Sequence, residues 1–226
     1  ILGVLVACAS AGIIIGVVTK TGVGLKLASA LLELSGGMLL PTMFFTMITA
    51  LLLGMGVPTT ANYVITSTIA APALVQMGIP VLAAHMFVFY FGIIADVTPP
   101  VALAAYAGSA ISGGNPLMTG VNASKLAIAA FIIPYVFVLN PVVLMVDATP
   151  LALVQTLVTA VIGMIAVSSS LIGFLANDMR MVERLILFAA GIMMIIPGGV
   201  TDAAGLAILV ACIVFQKRRK NAEAAV

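Results

Sequence analysis

Long runs of apolar residues, separated by short polar segments, extend along almost the whole chain. A helix needs about 20 residues to cross the hydrocarbon core of a bilayer. Runs of roughly this length lie at 1–18, 125–146, 151–176, 183–198 and 202–216. Because these apolar residues are continuous and do not alternate with polar ones, the pattern predicts helices and not barrel strands. We therefore predict an all-α integral membrane protein, a polytopic helical bundle.

Two further apolar stretches are interrupted by residues that disfavour helix. GMGVPTT at 54–60 separates two short apolar arms, and DVTPP at 96–100 divides a longer stretch. Proline lacks an N–H and clashes with the preceding turn, so each interruption frees backbone carbonyls. Such groups persist at membrane depth only where protein buries them or where they line a polar cavity. We predict a re-entrant hairpin over 37–78 and a discontinuous helix over 80–111, with a solute or ion site at their breaks.

The residues at both interruptions are suited to a hard cation, which prefers oxygen ligands. Gly54 and Gly56 allow backbone dihedrals that other residues resist, so that nearby carbonyls can turn toward an ion. The side chains of Thr59, Thr60 and Asn62 offer further oxygens near the hairpin tip, as Thr98 does beside the tandem prolines. The alternative interpretation is a kink or tight packing, since Gly and Pro are frequent in membrane helices.

Asp96 is the acidic side chain that the pattern places deep within a membrane segment. Burying a carboxylate there costs at least about 2.5–3.5 kcal/mol, so that Asp96 needs a partner. A sodium ion, a proton, a water-filled cavity or a donor on the hairpin would serve. Two alternatives stay open: Asp96 lies hydrated near an interface, or it is the gate or relay of an ion- or proton-conducting channel subunit.

Composition excludes several other classes. The chain is 63% hydrophobic and 7% charged, with a mean hydropathy of +1.32, whereas soluble domains are about 25% charged. The net charge of +2 is too small to indicate a nucleic-acid partner. A single histidine, with no nucleotide-binding or nucleophile motif, disfavours an enzyme or a transition-metal site.

Basic residues and turn residues predict the topology. Lys217–Lys220 directly follow the last span and are expected in the cytoplasm, where Lys and Arg are enriched. Counting spans back from them places Arg180, Arg184 and Lys125 inside as well, and Lys20 with Lys26 outside. The segment 112–124 carries the turn residues GGNP and predicts a loop. Because Ile1 begins within an apolar run, we expect the chain to be the C-terminal portion of a longer protein.

Three segments resemble a known family. GMGVPTTANYV at 54–64, the stretch 70–116 that contains ADVTPPVALAAYAGSAISGGNP, and FIIPYVFVLNP at 131–141 are similar to the large membrane subunit of tripartite ATP-independent periplasmic (TRAP) transporters. Within that family, the chain looks most like the fused permeases that work with TAXI-type binding proteins. The resemblance covers residues 1–147, and the remaining spans resemble the C-terminal extension of the fused permeases.

The resemblance implies a sodium-coupled secondary importer in the cytoplasmic (inner) membrane of a bacterium or archaeon. A periplasmic solute-binding protein of the TAXI type would deliver a small organic acid, whether a dicarboxylate, an amino acid or a sugar acid. Such permeases contain two inverted repeats, each with a hairpin and a broken helix, in an elevator-type transport domain. This chain holds one repeat, so that the N-terminal half of the same permease is an expected partner.

The family pattern also implies a division of the chain and a set of site residues. It gives a span with a connecting arm helix at 1–36, the second-repeat transport region at 37–147 with a following span at 125–146, and extra transmembrane helices with a basic tail at 148–226. The implied Na⁺ ligands are Gly54, Gly56, Val57, Thr60, Thr98 and Pro99. The implied solute ligands are Thr59, Thr60, Asn62 and Asp96, the last at a position where many relatives have a small polar residue.

Overall fold

The computed structural model describes residues 2–196 and 198–223, and the regular structure in these ranges is helical, with no strand. The elements are α1 (Leu2–Thr21), α2 (Val23–Leu34), α3 (Leu39–Gly54), α4 (Thr59–Ile69), α5 (Ala71–Gln76), α6 (Val81–Ile94), α7 (Leu103–Ser112), α8 (Pro116–Leu126), α9 (Ile128–Leu139), a 3-10 turn (Pro141–Leu144), α10 (Pro150–Ile172), α11 (Met181–Ile195) and α12 (Gly199–Glu223).

Several of these helices have the length and composition of membrane spans. In the part of the chain that the structure describes, Pro116–Leu139, Pro150–Ile172 and Gly199–Arg219 are each long and apolar enough to cross a bilayer. Gly12–Val18 and Val23–Leu34 together pass the same test but are bent by 68° at the break between them. The prediction of an all-α, polytopic membrane protein is confirmed.

The loop predicted over 112–124 is wrong for most of its length, because α8 begins at Pro116. The Asn115 side chain accepts a hydrogen bond of 3.0 Å from the Met118 N–H, and Pro116 occupies the first helical position. Asn followed by Pro is as good a helix start as it is a turn, because the cap needs an oxygen and the first turn needs no N–H. The span predicted at 125–146 therefore starts earlier, and it ends at Leu139, ahead of Pro141.

The chain divides into two compact units, Ile1–Val138 and Leu139–Val226. The predicted three-part organisation stays a prediction. In the first unit, α4 packs against α1, α3 and α6. Its buried stripe Ala61, Ile65 and Ile69 repeats every four residues, as expected for one face of a helix. This packing holds the two ends of the first interruption close to α6.

In the second unit, glycines allow the backbones of neighbouring helices to meet. A Cβ placed on Gly163 of α10 would lie 2.8 Å from the carbonyl oxygen of Gly191 on α11. A Cβ placed on Gly205 of α12 would lie 2.8 Å from the carbonyl oxygen of Ala190, also on α11. Small residues at such crossings are the usual means of packing helices in lipid, where no hydrophobic force drives them together.

Polar side chains hold the connection between α10 and α11. Gln216 of α12 is fully buried, and its Oε1 accepts hydrogen bonds from the N–H groups of Ala176 and Asn177, at 3.1 and 3.4 Å. Arg184 donates from Nε to the Ser170 carbonyl at 2.7 Å, near the end of α10. Arg184 thus satisfies a carbonyl that the end of α10 leaves unpaired, and Gln216 satisfies two N–H groups of the connection itself.

Candidate functional site

The first break occupies residues 55–58, between the end of α3 at Gly54 and the start of α4 at Thr59. Gly56 has a φ of 73°, in the left-handed region that favours glycine. Two backbone bonds of 3.5 Å cross the turn, from the Met55 N–H to the Leu52 oxygen and from the Val57 N–H to the Gly54 oxygen. Bonds this long are weak, so that both carbonyls keep most of their capacity to bind another group.

The second break lies between the end of α6 at Ile94 and the start of α7 at Leu103. The Thr98 hydroxyl donates to the Ile94 carbonyl at 2.7 Å, and the Ala102 N–H donates to the Thr98 carbonyl at 3.1 Å. The Pro99–Pro100 peptide is cis, and the Tyr106 hydroxyl donates to the Pro100 carbonyl at 2.7 Å. The break is thus a folded turn with a defined conformation.

The structure brings the two breaks together. A Cβ built on Gly56 would lie 4.0 Å from Cγ1 of Val101, so that the tip of the first break lies beside the second. Below the tip, a Cβ built on Gly54 would lie 2.7 Å from the carbonyl oxygen of Gly92, which is on α6. Only glycine permits this approach, because any side chain at position 54 would overlap the α6 backbone.

Asn62 fills the space at this crossing. Its side chain is 2% exposed, and its Nδ2 lies 3.0 Å from the position that a Cβ on Gly54 would take. A Cβ on Gly92 would lie 2.7 Å from the same Nδ2 and 2.8 Å from Oδ1. The structure records no hydrogen-bond partner for this buried Oδ1. Asn62 therefore joins α4 to both neighbouring backbones and keeps one oxygen free.

The two predicted threonine ligands of the first break are exposed at the start of α4. Thr59 and Thr60 follow Pro58, which makes no side-chain cap, so that the first N–H groups of α4 have no such partner. The start of α7 also lacks a side-chain cap. The N-terminus of a helix carries a partial positive charge and favours an anion such as a carboxylate.

Asp96 lies in the first turn after α6 and is partly buried. Its backbone carbonyl accepts a bond of 3.1 Å from the Ala104 N–H, which links the two sides of the second break. Its Oδ1 is buried and has no recorded hydrogen-bond partner. In the described part of the chain, the recorded salt bridge is that of Arg219 with Glu183, so that no basic side chain is recorded as pairing with Asp96.

Two residues of α8 contact the second break, and the sequence did not indicate them. The Ser124 hydroxyl donates to the Val97 carbonyl at 3.3 Å, and a Cβ on Gly120 would lie 3.2 Å from Cγ of Pro99. The turn residues GGNP predict a loop over this segment instead. The available signal was the pair of small residues four positions apart, which is typical of close helix packing.

The ligands available at the breaks are carbonyl, hydroxyl and amide oxygens and the carboxylate of Asp96. Over the described ranges, no group of three or more His, Cys, Asp or Glu side chains is placed to hold a metal. The oxygen donors are those that a hard cation prefers, in contrast to the nitrogen and sulfur ligands of zinc.

Residues 1–152 match the protein family described as "Tripartite ATP-independent periplasmic transporter, DctM component". The chain belongs to the DctM family. The resemblance to the large TRAP permease subunit is thereby confirmed, and the protein is a permease of a secondary transporter. Neither the curated proteins nor the solved structures include a match to this chain.

Membership of the DctM family fixes the general function and partners. The family is one of transporters and not of enzymes, and its members are multi-pass membrane proteins. A TRAP permease works with a solute-binding protein. Both breaks and the crossing at Asn62 lie inside the matched range 1–152, whereas α11 and α12 lie beyond it.

Proposed function

We propose that this DctM permease imports a small organic acid together with Na⁺, and that the two neighbouring breaks form the coupling site. The proximity of Gly56 to Val101 carries the proposal, because it places the weakly bonded Leu52 and Gly54 carbonyls of the first break near the turn of the second. Irregular backbone in a membrane protein is retained where it lines a ligand site. The sodium ligands would be oxygens of Gly54, Gly56, Val57, Thr60, Thr98 and Pro99.

Thr98 is the side chain that best suits the cation site. Its hydroxyl proton is used in the bond to the Ile94 carbonyl, so that the lone pairs of Oγ1 point away from that bond. A hydroxyl held in this way presents an oxygen and not a proton to its surroundings. An ion that binds there would meet an acceptor that is already oriented.

The solute carboxylate would bind at the starts of α4 and α7. Thr59 and Thr60 contribute hydroxyls next to uncapped N–H groups, and the helix dipole adds positive potential there. Asn62 and Asp96 each keep a buried oxygen without a recorded partner. These oxygens would bind a donor of the solute or the ion itself. Dicarboxylates, amino acids and sugar acids all carry the required carboxylate.

The remaining parts of the proposal follow the TRAP family. A TAXI-type periplasmic binding protein would deliver the solute, and the N-terminal half of the permease would complete an elevator-type transport domain. The permease would lie in the inner membrane with its C-terminus in the cytoplasm, where Lys217–Lys220 satisfy the positive-inside rule.

Sodium binding is tested by thermal unfolding of the complete permease in NaCl, compared with KCl at the same ionic strength. An ion that binds only the folded state stabilises it by about 2.7 kcal/mol at 100 times its Kd. We expect NaCl to raise the midpoint selectively, Thr98→Val to abolish the rise, and Thr98→Ser to retain it. Equal midpoints in NaCl and KCl for the unmodified protein would refute the sodium site.

Thr68→Val is the matched control. The Thr68 hydroxyl makes the same kind of bond, to the Val64 carbonyl at 2.7 Å, but it lies toward the other end of α4 from the first break. This variant is expected to keep the full sodium effect. If it loses the effect together with Thr98→Val, the loss reflects general damage to helices and not the removal of a ligand.

Coupling is tested by uptake into proteoliposomes that contain the permease and its binding protein. Labelled succinate, glutamate and gluconate represent the three solute classes. We expect one of them to accumulate when a sodium gradient is imposed and none when the gradient is dissipated. Uptake that follows a pH gradient and ignores sodium would refute the coupling.

A second candidate function is a channel that uses Asp96, and the unpartnered Oδ1 of Asp96 favours it. A channel conducts in planar bilayers without any binding protein, and Asp96→Asn would remove that current. The transporter hypothesis predicts no such conductance.

A further inference from the structure

We propose that the exposed face of α12 binds an anionic phospholipid. The face is an open, shallow groove that residues of α12 alone line from Ala203 to Arg218, with a volume of about 780 Å³. Its floor consists of small side chains one turn apart, Ala203, Ala207 and Ala211, and bulkier apolar side chains such as Leu206 and Phe215 flank it. This inference concerns the second unit and does not depend on the coupling site.

The groove has the dimensions and polarity of a site for an acyl chain. The fifteen steps along the helix from Ala203 to Arg218 correspond to about 22 Å at roughly 1.5 Å of rise per residue. That distance is most of the approximately 30 Å hydrocarbon core. Leu206, Val210 and Phe215 are 44%, 51% and 58% exposed, so that the structure leaves these walls uncovered.

The charge at one end of the groove selects the occupant. Arg218 lies at the C-terminal end of the groove, and the neighbouring Lys217 is exposed. In the described residues neither side chain has a recorded hydrogen bond or ion pair, whereas Arg219 on another side of α12 pairs with Glu183 at 2.7 Å. Two uncompensated cations thus stand where the apolar groove ends.

A phospholipid matches both features at once. The guanidinium group binds a phosphate through two parallel N–H donors, and it is more weakly hydrated than an ammonium. Basic side chains at the end of a membrane helix attract anionic headgroups. A transmembrane helix from a second copy of the chain would fill the apolar part of the groove, but it would leave Arg218 and Lys217 without an anion.

Native mass spectrometry of the complete protein tests the proposal, with phosphatidylglycerol and phosphatidylcholine of identical acyl chains as probes. We expect phosphatidylglycerol to be retained preferentially, and Arg218→Gln to reduce this preference by about fivefold. Lys125→Gln is the control, because Lys125 is also exposed at the end of an apolar helix but lies in the other unit. It is expected to keep the full preference.

Ala207→Leu tests the apolar part of the groove by filling its floor while all charges stay in place. We expect bound phosphatidylglycerol to decrease, and added inorganic phosphate not to displace the lipid from the unmodified protein. Size-exclusion profiles identical to that of the unmodified protein show that the variants fold.

Three results would overturn the proposal. An unchanged preference for phosphatidylglycerol in Arg218→Gln shows that the headgroup binds elsewhere. Inorganic phosphate that displaces the lipid completely shows that the groove contributes nothing. A dimer that retains no lipid and dissociates on Ala207→Leu shows that a second copy of the chain covers the groove.

Discussion

Replacing Gly92 by alanine tests the crossing at which α3, α4 and α6 meet. The added Cβ would lie 2.7 Å from Nδ2, 2.8 Å from Oδ1 and 3.0 Å from Cγ of Asn62. Real Cβ atoms do not approach heavy atoms this closely, so that the Asn62 amide must shift. Because the Asn62 side chain is 2% exposed and also meets Gly54, it has no free space to enter.

The expected cost follows from two opposing terms. Overpacking a buried site destabilises a protein by about 1–3 kcal/mol, whereas alanine in a helix gains up to about 1 kcal/mol over glycine. All three short contacts involve one confined amide, so we place the overpacking cost near the upper end of that range. We therefore expect Gly92→Ala to lower the free energy of unfolding by about 1–2 kcal/mol. For a chain of this size, each kcal/mol lowers Tm by about 2–4 °C.

The assay is thermal unfolding of the purified permease in detergent, with Gly92→Ala, Asn62→Ala and the double variant measured together. Gly108→Ala is the matched control, because a Cβ on that helical glycine of α7 would meet nothing within 4 Å. We expect Gly92→Ala to lower Tm, Gly108→Ala not to, and the loss in the double variant to be smaller than the sum of the two single losses. Strictly additive losses, or a Gly92→Ala protein as stable as the unmodified one, would refute the reasoning.

Three further substitutions have defined outcomes. Ala102 is fully buried with a φ of 37°, where a non-glycine residue costs about 1–2 kcal/mol, so Ala102→Gly is expected to keep Tm within a few degrees and Ala102→Val to lower it strongly. Arg184→Met removes the charged donor from the Ser170 carbonyl and is expected to cost about 1.5–3 kcal/mol in thermal unfolding, with the exposed Lys26→Met as a control that leaves Tm unchanged. Gln216→Met leaves the Ala176 N–H without its acceptor, and we expect faster hydrogen exchange at residues 176–177 together with a loss of about 1–3 kcal/mol; protection equal to that of the unmodified protein would contradict this assignment.

The positions of the two breaks could be predicted from sequence because their causes are local. Gly56 and Pro58 dictate the backbone of the first break, and the tandem prolines after Thr98 dictate that of the second. Long apolar runs likewise predict helices wherever they occur, since a peptide in lipid must satisfy its own hydrogen bonds. Local chemistry thus determined the helical class of the fold and the places where helices stop.

The contacts at the breaks could not be predicted, because they join residues far apart in the chain. Nothing in the sequence around Gly54 and Gly92 indicates that their backbones meet. Nor does the sequence distinguish Asn62 from any other polar residue near the hairpin tip. The loop predicted over 112–124 is wrong for a different reason. Asn115 and Pro116 fit both a turn and a helix start, and the helix that forms places Ser124 within reach of the Val97 carbonyl.

The distribution of unsatisfied polar atoms links this architecture to the proposed function. In the described part of the first unit, the buried side-chain oxygens without a recorded partner are those of Thr46, Asn62 and Asp96. Each such atom costs about 1–3 kcal/mol, and local rules are most often violated where a ligand later compensates the violation. Asn62 and Asp96 stand next to the first and second break, whose turns are already fixed by glycine contacts and by the Thr98 hydroxyl. An ion or solute that binds there would meet oxygens that are already held in place, so that binding requires little rearrangement of the backbone.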